Sequence, residues 1–153
     1  MAWEYLENLD YRYKDVAQFV TDDDAVFELN SGNSRLREYV KNHICNDLYD
    51  PRADYQLTDK EFSKKVDKCD VLVCLGIGGH EITGERLESP TITDTLIEIA
   101  NRLKPRLVIL ECVEKFASIA DRIIKDTDYD IVNTIKTNKG DWLHNRVMYI
   151  CKT

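Results

Sequence analysis

The chain has 153 residues, with 21 Lys and Arg against 28 Asp and Glu, a formal net charge of −7 and a pI near 5.0. That length suits one domain, residues 1–153, with a sizeable core; it leaves no room for a separate recognition domain beside a catalytic one. The acidity gives no support to general nucleic-acid binding, because counterion release rewards clustered Lys and Arg.

The apolar runs "VLVCLGIGG" and "LVIL" fall far short of the roughly 20 residues that span a bilayer, so no membrane partner is expected. "MAWEYLENLDYRYKD" carries charges and tyrosines where a secretory signal would need an apolar run, which points to the cytoplasm. Five cysteines without a CxxC pair read as small buried hydrophobes in a reducing compartment. The three histidines and scattered cysteines show no metal-ligand spacing, and no metal is expected.

Leu6, Leu9, Tyr13, Val16 and Val20 recur at helical spacing, giving an N-terminal helical segment over residues 1–21. "AVFEL" is a short buried strand that leads into the polar turn "NSGNS". A helix starting near Ser34 turns Leu36, Tyr39 and Val40 inward. "HICND" is a second strand, "DPRAD" a loop, and "YQL" a short third strand. Thr58-Asp59-Lys60-Glu61 fits a capping box and opens a helix carrying Phe62 and Val66.

"DVLVCLG" is the clearest strand, interrupted by the glycines of "GIGG". Ser89-Pro90 opens a helix with Ile92, Leu96, Ile99 and Leu103 on one face, stopped by Pro105. "RLVILEC" is a fifth strand, and Phe116, Ile119, Ile123 and Ile124 mark a further helix. "YDIVNTIKT" and "RVMYICK" form an antiparallel hairpin around "NKGDWLHN".

The alternation of strands and helices implies a mostly parallel sheet covered on both faces, with ligands at the carboxyl ends of its strands. This order resembles the class I S-adenosylmethionine-dependent methyltransferases over essentially the whole chain. The resemblance implies an α/β, Rossmann-like three-layer sandwich with a seven-stranded, mostly parallel sheet ending in an antiparallel hairpin. It also implies S-adenosylmethionine as cofactor. The family's D/E-x-G-x-G-x-G loop corresponds to Glu28-Leu29-Asn30-Ser31-Gly32-Asn33-Ser34. The acid and the middle glycine match; Asn30 and Ser34 stand where the flanking glycines would be.

Gly32 can supply a position without a Cβ or with positive φ, and Asn is the non-glycine residue best suited to left-handed backbone. An ordinary polar turn with Ser34 as helix N-cap accounts for the loop as well. Asp47 ends the second strand 19 residues after Glu28, where the family's acid binds the ribose hydroxyls; it also reads as a turn former beside Asp50 and Pro51. Asp59 corresponds to a polar position near the adenine, or serves only the first turn of its helix.

At the end of the fourth strand, Gly76, Gly78 and Gly79 permit close backbone approach to a ligand. The stretch is similar to the "GMGG" of a bacterial tRNA adenine methyltransferase family. "LVILECVEKF" resembles the "ENV" strand of cytosine methyltransferases, with Glu111 in the acid's place; neither the D/N-P-P-Y/F motif nor the Pro-Cys nucleophile is present. His80 and Glu81 are the candidate catalytic bases by position, with a surface loop pair as the plain alternative.

Methyl transfer from a sulfonium requires mainly alignment, so a sparse set of catalytic side chains is compatible with activity. The expected function is therefore methyl transfer to a protein, small-molecule or nucleic-acid acceptor, with a homodimer or recognition subunit as possible partner. The alternative is a non-catalytic interaction or regulatory module on the same fold. A nicotinamide-dinucleotide protein fits less well, because G-x-G-x-x-G is absent.

Overall fold

Two continuous apolar runs, Val71–Leu75 and Leu107–Val113, form the centre of the sheet, and every residue in both is buried. A strand covered on both faces needs apolar side chains in both directions, which these sequences supply. The computed structural model describes residues 10–77, 92–114, 117–137 and 145–153, without the Ile119 side chain. Leu6, Leu9, Gly78, Gly79, His80, Glu81, Ser89, Pro90 and Phe116 lie outside the described residues.

The strands are β1 (Val26–Leu29), β2 (His43–Asn46), β3 (Val71–Leu75), β4 (Leu107–Val113), β5 (Asp130–Thr137) and β6 (Arg146–Lys152). They form one sheet in the order β2-β1-β3-β4-β6-β5. β1 pairs in parallel with β2 and β3, and β3 pairs in parallel with β4. β6 runs antiparallel between β4 and β5, with a register shift between Ile131 and Asn133. From β1 the chain first goes outward to β2, then returns to the other side of β1 as β3. The winding therefore reverses between β1 and β3, where open α/β sheets bind ligands.

Alternating side chains divide the core in two. Phe27, Leu29, Leu72, Cys74, Leu110 and Cys112 pack with Phe62, Leu96, Ile99 and Ile123 from three helices: α2 (Asp59–Lys65), α3 (Ile92–Leu103) and α4 (Ser118–Lys125). On the opposite face Val26, Val71, Val73, Leu75 and Ile109 pack with Tyr13 and Val16 of α1 (Tyr11–Ala17) and with Leu36. Glu28 and Glu111 point to this second face, in register with Val73 and Leu75 of the strand between them. All five cysteines are buried and unpaired by disulfides.

Three local expectations change. The sheet has six strands rather than seven, because "YQL" contributes only a single parallel bridge between Tyr55 and Asn46. Side chains take over the ladder there: Asp54 Oδ2 accepts from the Cys45 N–H at 3.0 Å, while the Asn46 amide bonds both the N–H and the C=O of Leu57. The helix after the first loop is one 3₁₀ turn, Arg35–Glu38. Ser34 does not cap it: its backbone is left-handed and its side chain makes no capping bond. The capping box at α2 does form, with Thr58 Oγ1 accepting from the Glu61 N–H and donating to the Glu61 carboxylate.

Candidate functional site

The turn after β1 has left-handed backbone at alternate residues: φ is 57° at Asn30, 56° at Gly32 and 59° at Ser34. A side chain at Gly32 would meet open space, so conformation rather than crowding favours glycine there. Ser34, which carries a Cβ in this conformation, is held by neighbours. Its Oγ lies 2.9 Å from Ser31 Oγ and accepts from the Cys45 thiol at 3.3 Å.

Asp47 braces the same turn from β2. One carboxylate oxygen accepts from the Gly32 N–H at 2.9 Å, and the other accepts from the N–H groups of Tyr49 and Asp50 at 3.0 and 3.1 Å. Left-handed turns of this kind expose N–H groups that attract anions, and here a buried carboxylate of the chain fills that role. Asp47 thus forms the Asp turn that was the competing reading, and its contact with the Gly32 N–H is an addition that the sequence did not suggest.

Glu28 is fully buried under the turn, with Oε1 2.8 Å from His43 Nε2. Burial pushes its carboxyl pKa up, against the lowering effect of His43 and Arg12. A small cleft opens above it, lined by Arg12 and Tyr13 of α1, Glu28, residues 30–33 and Leu75. Asn33 is positioned in this cleft by its side-chain oxygen, which accepts from Tyr13 Oη and the Arg35 N–H. Its buried side-chain nitrogen has no partner among the described residues. A buried amide donor without an acceptor is uncommon and suits a ligand acceptor.

Gly76 closes the other side. Its φ is 79°, and its N–H lies 2.8 Å from Glu111 Oε1 and 2.7 Å from the Glu111 carbonyl oxygen. Glu111 is clamped by Arg146 and approached by Arg12 at 3.5 Å. Burial pushes Glu111 up, but the two guanidiniums outweigh it and hold the carboxyl below its ordinary range. Asp59 is buried in the first turn of α2. His80 and Glu81, the candidate bases, lie outside the described residues.

Sequence reasoning missed Arg12 and Arg146, read Tyr13 only as core, and offered Asn33 only as an alternative to Asn30 for the left-handed backbone, which Asn30 takes. The helical spacing that put Tyr13 inward also brought Arg12 to the sheet, a detail that becomes visible only when β4 supplies Glu111 as its partner.

The sheet order and the helices on both of its faces have the fold of class I S-adenosylmethionine-dependent methyltransferases. No protein-family model and no curated protein sequence matches the chain. Solved structures do. It is similar to the tRNA (uracil-54, C5)-methyltransferase of Pyrococcus abyssi in complex with S-adenosyl-L-homocysteine, with TM-score 0.65 and 15% identity. That match covers 94% of this chain but only 37% of the Pyrococcus protein. Magnesium protoporphyrin IX methyltransferase from Synechocystis, with bound S-adenosylmethionine, aligns with TM-score 0.67 and 14% identity over 97% of this chain and 79% of that one. The N-methyltransferase NodS of Bradyrhizobium japonicum aligns with TM-score 0.64 and 11% identity over 95% and 86%.

Proposed function

We propose that the chain is an S-adenosylmethionine-dependent methyltransferase whose cofactor lies across the carboxyl ends of β1 and β3. The observation that carries this reading is the left-handed backbone at residues 30, 32 and 34, the three glycine positions of the family's loop. A Cβ in that conformation costs about 1 kcal/mol, least for Asn, and an ordinary polar turn gives no reason to keep three such residues in alternation. The unpartnered Asn33 donor in the same cleft supports it.

In this reading Asn30, Gly32 and Gly76 bring backbone close to the cofactor, Asp47 lies toward the ribose hydroxyls and Asp59 toward the adenine. Glu28 supplies negative potential beneath the cleft. The cofactor supplies an activated methyl group, so the chain's task is to hold acceptor and methyl in line and to exclude water. His80 or Glu81 takes the proton from the acceptor. The acceptor is a protein, a small molecule, or a nucleic acid delivered with a partner's help, and the protein works in the cytoplasm as a homodimer or with a recognition subunit.

A second reading, a non-catalytic module, is favoured by Asp47 and Glu28 already having partners in Gly32 and His43. Calorimetric titration with S-adenosylmethionine and S-adenosylhomocysteine separates the two. Saturable binding of both supports the methyltransferase, and no binding at millimolar ligand overturns it.

A further inference from the structure

On β2, beside the buried Glu28 carboxylate and the turn after β1, a ring nitrogen of His43, the sulfur of Cys45 and a carboxylate oxygen of Asp54 all lie within 4.8 Å of one another. We infer that His43, Cys45 and Asp54 form a binding site for a thiolate-preferring divalent cation, of which Zn²⁺ is the model. His43 and Cys45 project to the same side of β2 because they are two residues apart on a strand. Asp54 is brought beside them by the return loop, its Oδ2 accepting from the Cys45 N–H at 3.0 Å and lying 3.5 Å from Cys45 Sγ.

A second observation points to a ligand. His43 is 2% exposed at its side chain and its Nε2 meets Glu28 Oε1 at 2.8 Å, yet its buried Nδ1 has no partner among the described residues. With Nε2–H donated to the carboxylate, Nδ1 is left with a bare lone pair. A carboxylate that fixes the imidazole through one nitrogen while the other coordinates is the usual support of a metal-bound histidine. Tetrahedral zinc ligands stand roughly 3.4 to 3.8 Å apart; Cys45 Sγ and Asp54 Oδ2 already have that spacing at 3.5 Å, and a pair at the 4.8 Å limit would close by about 1 Å. Asp54, whose side chain is 37% exposed, has room to make that adjustment.

Arg37 now occupies the position of the cation. Its Nη2 lies 3.2 Å from Cys45 Sγ and 3.6 Å from Asp54 Oδ2, on a side chain that is 43% exposed; its Nε donates to the Ser34 carbonyl at 3.2 Å, a bond that water replaces when the side chain leaves. The exchange balances in charge: Zn²⁺ enters, the Cys45 thiol releases its proton to water, and the Arg37 cation leaves. The resulting set is a thiolate, a carboxylate and a neutral imidazole around one divalent ion, with water free to take the fourth place.

The competition gives the site a signature. Co²⁺ added to the metal-free protein is expected to give one equivalent of binding with a thiolate charge-transfer absorption band. Zn²⁺ affinity is then measured by competition with a chromophoric chelator. Cys45→Ser and Asp54→Asn are each expected to lower it at least 10-fold, and Arg37→Gln to raise it about 10-fold by removing the resident cation. Thermal melts of each variant confirm that it is folded, and Asp54→Asn, on an exposed loop, remains informative if Cys45→Ser fails to fold. Absence of the charge-transfer band, unchanged affinity in Asp54→Asn, or unchanged or weaker affinity in Arg37→Gln overturns the inference. None of these readouts depends on S-adenosylmethionine binding.

Discussion

Asp47 is the brace on which the turn after β1 depends, and Asp47→Ala tests this. Three backbone N–H groups converge on its carboxylate, from Gly32, Tyr49 and Asp50. A hydrogen bond to a charged acceptor contributes about 1.5–3 kcal/mol. Tyr49 is exposed, so its N–H finds water when the carboxylate is removed, whereas Gly32 sits in the buried turn. Discounting for that rehydration leaves a loss of about 3 kcal/mol, or roughly 6–12 °C in Tm for a domain of this size. Asp47→Asn is milder: its oxygen still serves Tyr49 and Asp50, while its NH₂ group faces the Gly32 N–H, donor against donor, at a cost of about 1–2 kcal/mol.

Thermal and urea denaturation measure both variants, and calorimetry measures S-adenosylmethionine binding to each. The expected order of stability is wild type, Asn, Ala, with ligand affinity lowered by a factor of about 10 to 100 in Asp47→Ala. If Asp47→Ala melts within about 2 °C of wild type, the carboxylate does not brace the turn, and the reasoning fails at its base. Retained stability with lost binding would instead make Asp47 purely a ligand contact.

Gly32→Ala should cost about 1 kcal/mol in urea denaturation, all of it from the left-handed backbone because the added methyl meets open space. Ser34→Val should cost about 2–3 kcal/mol in the same assay, since it combines a β-branched residue at φ 59° with loss of the contacts to Ser31 and Cys45. The hydrogen bond from Arg106 pulls the Asp24 carboxyl down to about 2, helped by the Thr21 N–H. Because the folded value lies below the unfolded one, this stability is present above pH 4 and disappears as pH falls toward 2. With Arg106 partly exposed the effect is about 1–2 kcal/mol, and Arg106→Gln should remove most of that slope in acid titrations followed by circular dichroism. Glu111→Gln should destabilise by about 3–5 kcal/mol, because it removes the buried carboxylate that the Arg12 and Arg146 guanidiniums share; chemical denaturation measures it.

The central and terminal strands were legible because "VLVCL" and "LVILECV" are continuous apolar runs and the last two strands are a pair joined by a polar turn. The end strand "YQL" was not, since its few pairing positions are served by the Asp54 and Asn46 side chains, and no periodicity encodes a side chain standing in for a ladder. The role of Ser34 misled for a related reason. Serine before a helix is ordinarily a cap, yet here the preceding left-handed residues turn its hydroxyl toward Ser31 and Cys45. Glu28, Gly32 and Asp47 could be picked out by their correspondence to the family's loop and ribose acid, together with their strand-end spacing. His43 and Arg146 could not, because their partners, Glu28 and Glu111, lie 15 and 35 residues away in the chain.

The replacement of two glycines also explains why β2 is so heavily engaged. A loop with three glycines reaches left-handed backbone at little energetic cost, whereas Asn30 and Ser34 must be held there. The holding groups include Ser31 and Cys45 on Ser34, Arg37 of the following 3₁₀ turn on the Ser34 carbonyl, and Asp47 on Gly32. Each such bond contributes on the order of 1 kcal/mol, comparable to the strain of one left-handed non-glycine residue, so bracing and strain nearly offset. The turn is consequently formed before any ligand arrives, and a ligand gains affinity by not having to order it. Since Cys45 belongs to both the bracing set and the His43–Cys45–Asp54 cluster, drawing its sulfur to a cation removes the thiol proton donated to Ser34. Occupancy of that cluster would therefore be felt at the turn through this one sulfur atom.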